Sequence, residues 1–264
     1  METVISADGT RIAVERSGSG LPLVMVHGTA RDRSCWDRVA EELRDRAEVV
    51  VFDRRGRPDS HDGQAYSLAR EADDILAVVD SIQEPVVLFG HSFGGIVALE
   101  AALRSRSLRG LILYEPPLPT GVSTVPGDLG DRLQTILETG DRDAVVVTFL
   151  QEGPRYPPEE IAKRRASPDW QVRLAMAHTL PRETLAVNQY SFDAGRAANL
   201  DVPTLLLLGS QSPPLFQDAI ALLHGAIANS EVVVLEGQHH NAMDTAPALL
   251  ADAVSGFLQR LAVA

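Results

Sequence analysis

A doubly wound α/β fold, with a mostly parallel sheet, is predicted by three observations. Continuous apolar runs recur along the 264-residue chain, at 23–26, 49–52, 86–89, 111–113, 204–208 and 232–235. Stretches with helical periodicity lie between or after them, at 34–46, 67–81, 92–104, 214–227 and 246–261. One long interval, from Pro116 to about Leu200, has helical character and no strand pattern. Unbroken apolar strands are buried on both faces, as in a parallel sheet covered by helices. Strand–helix alternation is the chain order that builds such a sheet.

The elements follow in order. Residues 4–6 and 11–16 flank Ala7-Asp8-Gly9-Thr10, which reads as a hairpin closed by an Asp-Gly turn. The paired runs and helices then alternate up to residue 116. Pro116, Pro117 and Pro119 open the strandless interval, and Asp201-Val202-Pro203 closes it. An excursion of that length between two sheet strands is better explained by a helical cap than by a loop. The expected division is therefore a core of residues 1–116 and 201–264 with a cap at 117–200. Apolar residues of the cap, among them Val145, Val146, Phe149, Leu150, Trp170, Leu174, Met176 and Leu180, either face a pocket or pack the cap onto the core. Packing is the expectation for most of them.

Apolar residues make up 45% of the chain and charged ones 23%, the proportions of a soluble globular protein. A formal charge of −12 argues against a nucleic-acid or anionic-membrane partner, which calls for a basic patch. Cys35 is the only cysteine, so an internal disulfide and a thiolate metal site are excluded. His61, His178 and His224 are scattered without metal-ligand spacing. The first nine residues carry no apolar signal segment, and no run approaches a membrane span. A cytoplasmic protein is expected.

Chemistry concentrates at Gly90-His91-Ser92-Phe93-Gly94-Gly95, directly after the run 86–89 and before a helical stretch. This is the layout of a nucleophile elbow, in which a sharp strand-to-helix turn lifts a serine hydroxyl above the sheet edge. Gly90 and Gly94 fit because a Cβ on either side of so tight a turn would meet neighbouring backbone. The helix N-terminus beneath Ser92 favours developing negative charge. A hydroxyl is almost wholly protonated at neutral pH, so such a serine needs a base.

With His27-Gly28-Thr29 after the first parallel-type run, Asp53-Arg54-Arg55-Gly56 after the second, the elbow, and Gly237-Gln238-His239-His240 after the last, the chain resembles the α/β-hydrolase superfamily across its whole length. The resemblance implies a base after the last strand, His239 or His240. His240 is preferred, because in relatives the histidine stands seven residues before a proline opening the closing helix, and Pro247 has that spacing. The family's usual acid follows the penultimate strand, but Gly209-Ser210-Gln211-Ser212 holds no carboxylate, and Asp218 comes later on a helix. Some relatives place the acid after the strand that follows the elbow helix, where Glu115 stands. A Ser92–His240–Glu115 triad is thus expected. Backbone N–H groups of Thr29 and Phe93 are the implied oxyanion donors. His27 is expected to support its loop, Asp53–Gly56 to shape theirs, and His91 to be family decoration. Thr29, Tyr114 and Trp36 are candidate pocket residues.

The implied activity is a serine hydrolase that needs neither metal nor organic cofactor and cleaves an ester, thioester or lactone of a small, partly apolar molecule. Two alternatives stand beside it. One is a specialised relative, such as a perhydrolase, a C–C hydrolase or a catalyst of cyclisation or elimination. The other is a small-molecule receptor with residual turnover. Serine at the elbow argues against epoxide-hydrolase or dehalogenase chemistry, for which relatives use aspartate.

Overall fold

The computed structural model describes residues 1–121 and 125–263. Its sheet comprises β1 (Glu2–Ile5), β2 (Arg11–Gly18), β3 (Leu21–Val26), β4 (Ala47–Phe52), β5 (Val86–His91), β6 (Leu108–Tyr114), β7 (Thr204–Gly209) and β8 (Ser230–Leu235). The spatial order is β1-β2-β4-β3-β5-β6-β7-β8. The first two strands pair antiparallel, and β2 meets β4 antiparallel. Every later pairing is parallel. The turn between β1 and β2 holds Gly9 at φ +84°, and the Asp8 carboxylate accepts the Thr10 N–H at 3.0 Å. Glycine takes this backbone conformation without a Cβ penalty.

Alternation along the central strands sends side chains to two separate cores. On β3, Val24 and Val26 join one core, which is covered by α2 (Leu68–Asp80), α3 (Phe93–Ala102) and α10 (Pro214–Ala226). Leu23 and Met25 join the other, under α1 (Asp37–Leu43) and α12 (Pro247–Val263). This two-sided burial is what the unbroken apolar runs predict. The last strand departs from it. On β8, Val232 is 37% and Val234 50% exposed. It is the sheet edge, and its packed side chains, Val233 and Leu235, join the core under α12.

Helix boundaries follow local chemistry. Ser67 caps α2 by accepting the Arg70 N–H, the satisfaction an orphan helix donor requires. A 3-10 turn at Arg33–Trp36, capped by Asp32, precedes α1. The closing helix begins at Pro247, one residue later than periodicity predicts, because proline is suited to the first helical position. A short helix, α11 (Ala242–Thr245), stands just before it.

Between β6 and β7 the described residues form only helices. These are α4 (Leu129–Glu138), α5 (Arg142–Glu152), α6 (Pro158–Arg165), α7 (Asp169–Ala175), α8 (Leu180–Gln189) and α9 (Ala194–Ala197), with a 3-10 turn at Ala177–Thr179. Most of them share a third apolar cluster, which includes Leu133, Val145, Val146, Trp170 and Leu180. Leu118, Ala197 and Leu200 instead pack into the sheet's own core. The helical layer is latched to the sheet by charge. Buried Glu183 on α8 accepts from Arg57 at 2.5 Å and from Arg54 at 3.4 Å. Burial pushes the Glu183 carboxyl up, but Arg54 and Arg57 outweigh it and hold the group well below the ordinary carboxylate range.

Candidate active site

The carboxyl end of β5 runs into α3 through a single residue, Ser92, at φ 55° and ψ −129°. That is a costly conformation for a residue with a Cβ, worth about 1–3 kcal/mol of strain. The surroundings enforce it. A Cβ on Gly90 would lie 2.5 Å from the Gly94 carbonyl oxygen, and one on Gly94 would lie 2.4 Å from the His27 oxygen. Only glycine lets β5, α3 and the loop after β3 approach this closely. The Ser92 N–H donates to the Tyr114 carbonyl at 2.9 Å, which ties the turn to β6.

The loop after β3 stands against the serine, since a Cβ on Gly28 would lie 2.9 Å from Ser92 Cβ. His27 supports this loop as the sequence predicts. Its Nδ1–H donates to the Gly28 carbonyl at 2.9 Å, and its Nε2 accepts the Arg54 N–H at 3.2 Å. Burial first, then Arg57 and Arg54, hold the His27 imidazole well below its ordinary pKa, so the ring is neutral. The Arg54 guanidinium points at the His27 and Gly28 carbonyls, each at 3.4 Å, and lies 4.8 Å from the centre of the Phe93 ring. It therefore touches both segments expected to supply oxyanion donors. A bidentate pair with buried Glu71, at 2.8 and 2.5 Å, fixes it there. The sequence marks this arginine only as part of a turn.

Glu115 directly follows β6, wholly buried and at φ 47°. Its Oε1 accepts the Gly209 N–H at 2.7 Å, and its Oε2 accepts His240 Nδ1–H at 2.7 Å. With Nδ1–H donated to a carboxylate, Nε2 is left as the lone-pair nitrogen. His239, by contrast, is exposed and outside the cavity lining. Ser212 is buried near the end of β7 with an unpartnered hydroxyl, and Asp218 is exposed on α10.

Three further side chains position His240. Phe216 stacks on its ring at 4.4 Å and 11°. The His91 ring lies 4.5 Å away, and its Nε2–H donates to the His240 carbonyl at 2.8 Å. Tyr114 donates its hydroxyl to the His239 carbonyl and accepts the Ala242 N–H at 3.2 Å. Burial, then His240, hold the His91 imidazole well below its usual range. His91 is thus a neutral strut, and the expectation of mere decoration is corrected. Tyr114 and Trp36 do not line the cavity. Tyr114 braces the histidine loop from below, and Trp36 packs in the core at 5.1 Å from Phe89. Sequence reasoning missed these roles because each depends on contacts between distant loops.

Thr29, Ser92, Phe93 and His240 line one cavity of about 220 Å³ beneath the helical layer. Of the apolar layer residues singled out above, Phe149 and Leu150 face it. Val145, Val146, Trp170 and Leu180 pack within the layer, and Met176 borders a separate surface cleft. The four non-glycine residues with positive φ among those described are Ala30, Ser92, Glu115 and Arg155. Three line this cavity, and the fourth holds His240 behind it. Such strain collects where function over-determines geometry. Among the described residues no group of three or more His, Cys, Asp or Glu side chains could hold a metal ion. None of the described helices is long and apolar enough to cross a membrane.

A cavity at the carboxyl ends of parallel strands, with its polar groups on the loops that follow them, is the ligand-binding position of an open α/β sheet. A family model for the alpha/beta hydrolase family matches residues 23–253, and the chain belongs to that family. An alpha/beta hydrolase from Sphaerobacter thermophilus is 35% identical, with a TM-score of 0.88 over 97% of this chain and 99% of its own. RutD of Cronobacter turicensis, described as a putative carbamate hydrolase, is 26% identical over 235 residues, covering 85% of this chain and 86% of RutD. An esterase from Exiguobacterium antarcticum shares the fold at a TM-score of 0.78 and 22% identity, over 97% of this chain and 98% of its own. Hydrolase is the activity class that this membership supports.

Proposed function

We propose that the protein is a serine hydrolase that cleaves an ester, thioester or lactone of a small, partly apolar molecule. The observation that carries this reading is the 2.7 Å bond between His240 Nδ1 and buried Glu115, on a histidine that shares its cavity with strained Ser92. Ser92 Oγ attacks the acyl carbon while His240 Nε2 takes its proton. The charged imidazolium is stabilised by Glu115, and the oxyanion is held by the Thr29 and Phe93 N–H groups. His240 then gives its proton to the departing oxygen or sulfur as that bond to the acyl carbon breaks. Water, deprotonated by His240, cleaves the Ser92 acyl bond and regenerates the enzyme. The helices from α4 to α8 act as a cap, and Phe149 and Leu150 give the acyl or alcohol group an apolar wall.

The test is intact mass after incubation with a small fluorophosphonate. One adduct on Ser92 in the parent is expected, with labelling slowed by orders of magnitude in His240→Ala and abolished in Ser92→Ala. Glu115→Gln should lower kcat by about 10³–10⁴-fold if the carboxylate sets the imidazole tautomer. An unlabelled parent would overturn the hydrolytic reading in favour of a receptor. Equal labelling of parent and His240→Ala would move the base elsewhere.

A further inference from the structure

The chain carries a formal charge of −12, yet four arginines, Arg31, Arg155, Arg164 and Arg173, line the Ser92 cavity. Two of them have their acids. Arg31 pairs with Asp244 and donates to Asn241 at 3.2 Å. Arg164 pairs with Glu160 at 3.0 Å, lies 3.9 Å from Asp244, and sits over the Tyr156 ring at 4.5 Å. Arg173, on α7, is different. It is 7% exposed, and its NH1 donates to the Ala30 carbonyl at 2.8 Å. Among the described residues no carboxylate stands within ion-pair distance of it. Burial, with Arg31 and Arg164 repelling it, pushes its guanidinium down to about 10. That carbonyl is its hydrogen-bond acceptor among the described residues, and Asp244 offsets the two neighbouring arginines only in part, so an anion beside it would be stabilised. The same cavity is lined by apolar Phe149, Leu150, Val187 and Leu215.

We infer that the substrate carries a carboxylate, and that this group docks on Arg173 beside Arg31 and Arg164 while the ester lies at Ser92. The inference rests on the hydrolytic reading and names its substrate class: a monoester, thioester or lactone of a small molecule with a free carboxylate at one end and an apolar middle. The planar guanidinium fork matches a carboxylate by two parallel bonds. Exposed Arg155 adds charge at the cavity wall, which draws anions into a molecule that otherwise repels them.

The test uses monomethyl succinate, glutarate and adipate, each against the neutral isostere in which isopropyl replaces the carboxylate. Turnover in the parent, Arg173→Met and Arg173→Lys is paired with calorimetric binding of glutarate. In the parent, kcat/KM for the best acid ester should exceed that of its isostere by roughly ten- to hundredfold, the range for hydrogen bonds to charged groups. Arg173→Met should collapse that ratio through KM, and Arg173→Lys should restore part of it. Glutarate should compete with the neutral ester, which separates this cavity from the open cleft on the arginines' other side. Equal turnover of acid ester and isostere in the parent overturns the inference, whether or not a variant folds. An unchanged ratio with kcat lowered for both esters assigns Arg173 to holding Ala30 alone, and also overturns it. So does tighter binding of inorganic phosphate than of glutarate. If no ester is turned over, the hydrolytic reading fails while calorimetry still decides this one. Glutarate bound by the parent and not by Arg173→Met supports it, and no binding overturns it.

Discussion

Replacing Tyr114 by phenylalanine separates the bracing of the histidine loop from the chemistry at the cavity. The ring is fully buried and packs 5.2 Å from His91, contacts that phenylalanine keeps. What is lost is one hydroxyl with two partners, the His239 carbonyl and the Ala242 N–H. His239 is exposed and Ala242 buried, so water can replace the first bond and not the second. One sealed, unpaired backbone donor costs about 1–3 kcal/mol. For a chain of this size that is a fall in melting temperature of roughly 2–12 °C. The same hydroxyl holds the segment on either side of His240, so the imidazole should lose its fixed approach to Ser92. A displacement of about 1 Å can cost around a hundredfold in rate, and kcat should fall by roughly ten- to hundredfold with a smaller change in KM. Urea denaturation, with equal slopes in the two proteins, and steady-state hydrolysis of a neutral ester measure both quantities. A stability loss below about 0.5 kcal/mol together with undiminished kcat would refute the bracing role.

Other substitutions probe neighbouring parts of the site. Gly28→Ala places a Cβ 2.9 Å from Ser92 Cβ and 3.2 Å from His91 Nδ1, so the Thr29 loop must retreat. Loss of one oxyanion donor should then lower kcat by about 10²–10³-fold, and an active variant with an unshifted melting curve would remove Thr29 from that role. Glu183→Gln leaves Arg54 and Arg57 without their shared buried carboxylate. The expected cost is about 3–5 kcal/mol, read by chemical denaturation, and a change under 1 kcal/mol, roughly the value of a surface pair, would contradict the latch. Acid titration tests the buried histidines. Folded-state values of His27 and His91 are depressed from 6.5, so their contribution to stability is complete above that pH and is lost as pH falls below it. Each adds a slope that averages about 1 kcal/mol over the first pH unit below 6.5 and approaches about 1.4 kcal/mol per unit further down. Unfolding free energies between about pH 5.5 and 6.5 should fall less steeply in His91→Gln by one such increment, and identical slopes would mean that His91 is charged in the native state.

The α/β architecture was legible because its signals are local. Apolar runs and helical periods mark strands and helices, and the glycines around Ser92 mark a turn that only they can make. Glu115 and His240 were reachable as candidates, since resemblance assigns each to the end of a particular strand. What those positions could not disclose is which groups meet. What favours His240 over His239 as the candidate base is the 2.7 Å bond to Glu115 and the stacking of Phe216, some 24 residues earlier in the chain. Val232–Leu235 read as a buried run, yet exposure of Val232 and Val234 follows from β8 lying at the sheet edge, a property of strand order alone. Tyr114 read as a pocket residue and proved to be a brace, and Arg173 gave no sequence signal at all. Its isolation among acids that serve Arg31 and Arg164 exists only once α7 is folded over the loop that follows β3. Periodicity and motif are written in neighbouring residues. The pairing of buried charges and the roof of a cavity are decided by where separate loops converge, and only the tertiary structure brings them together.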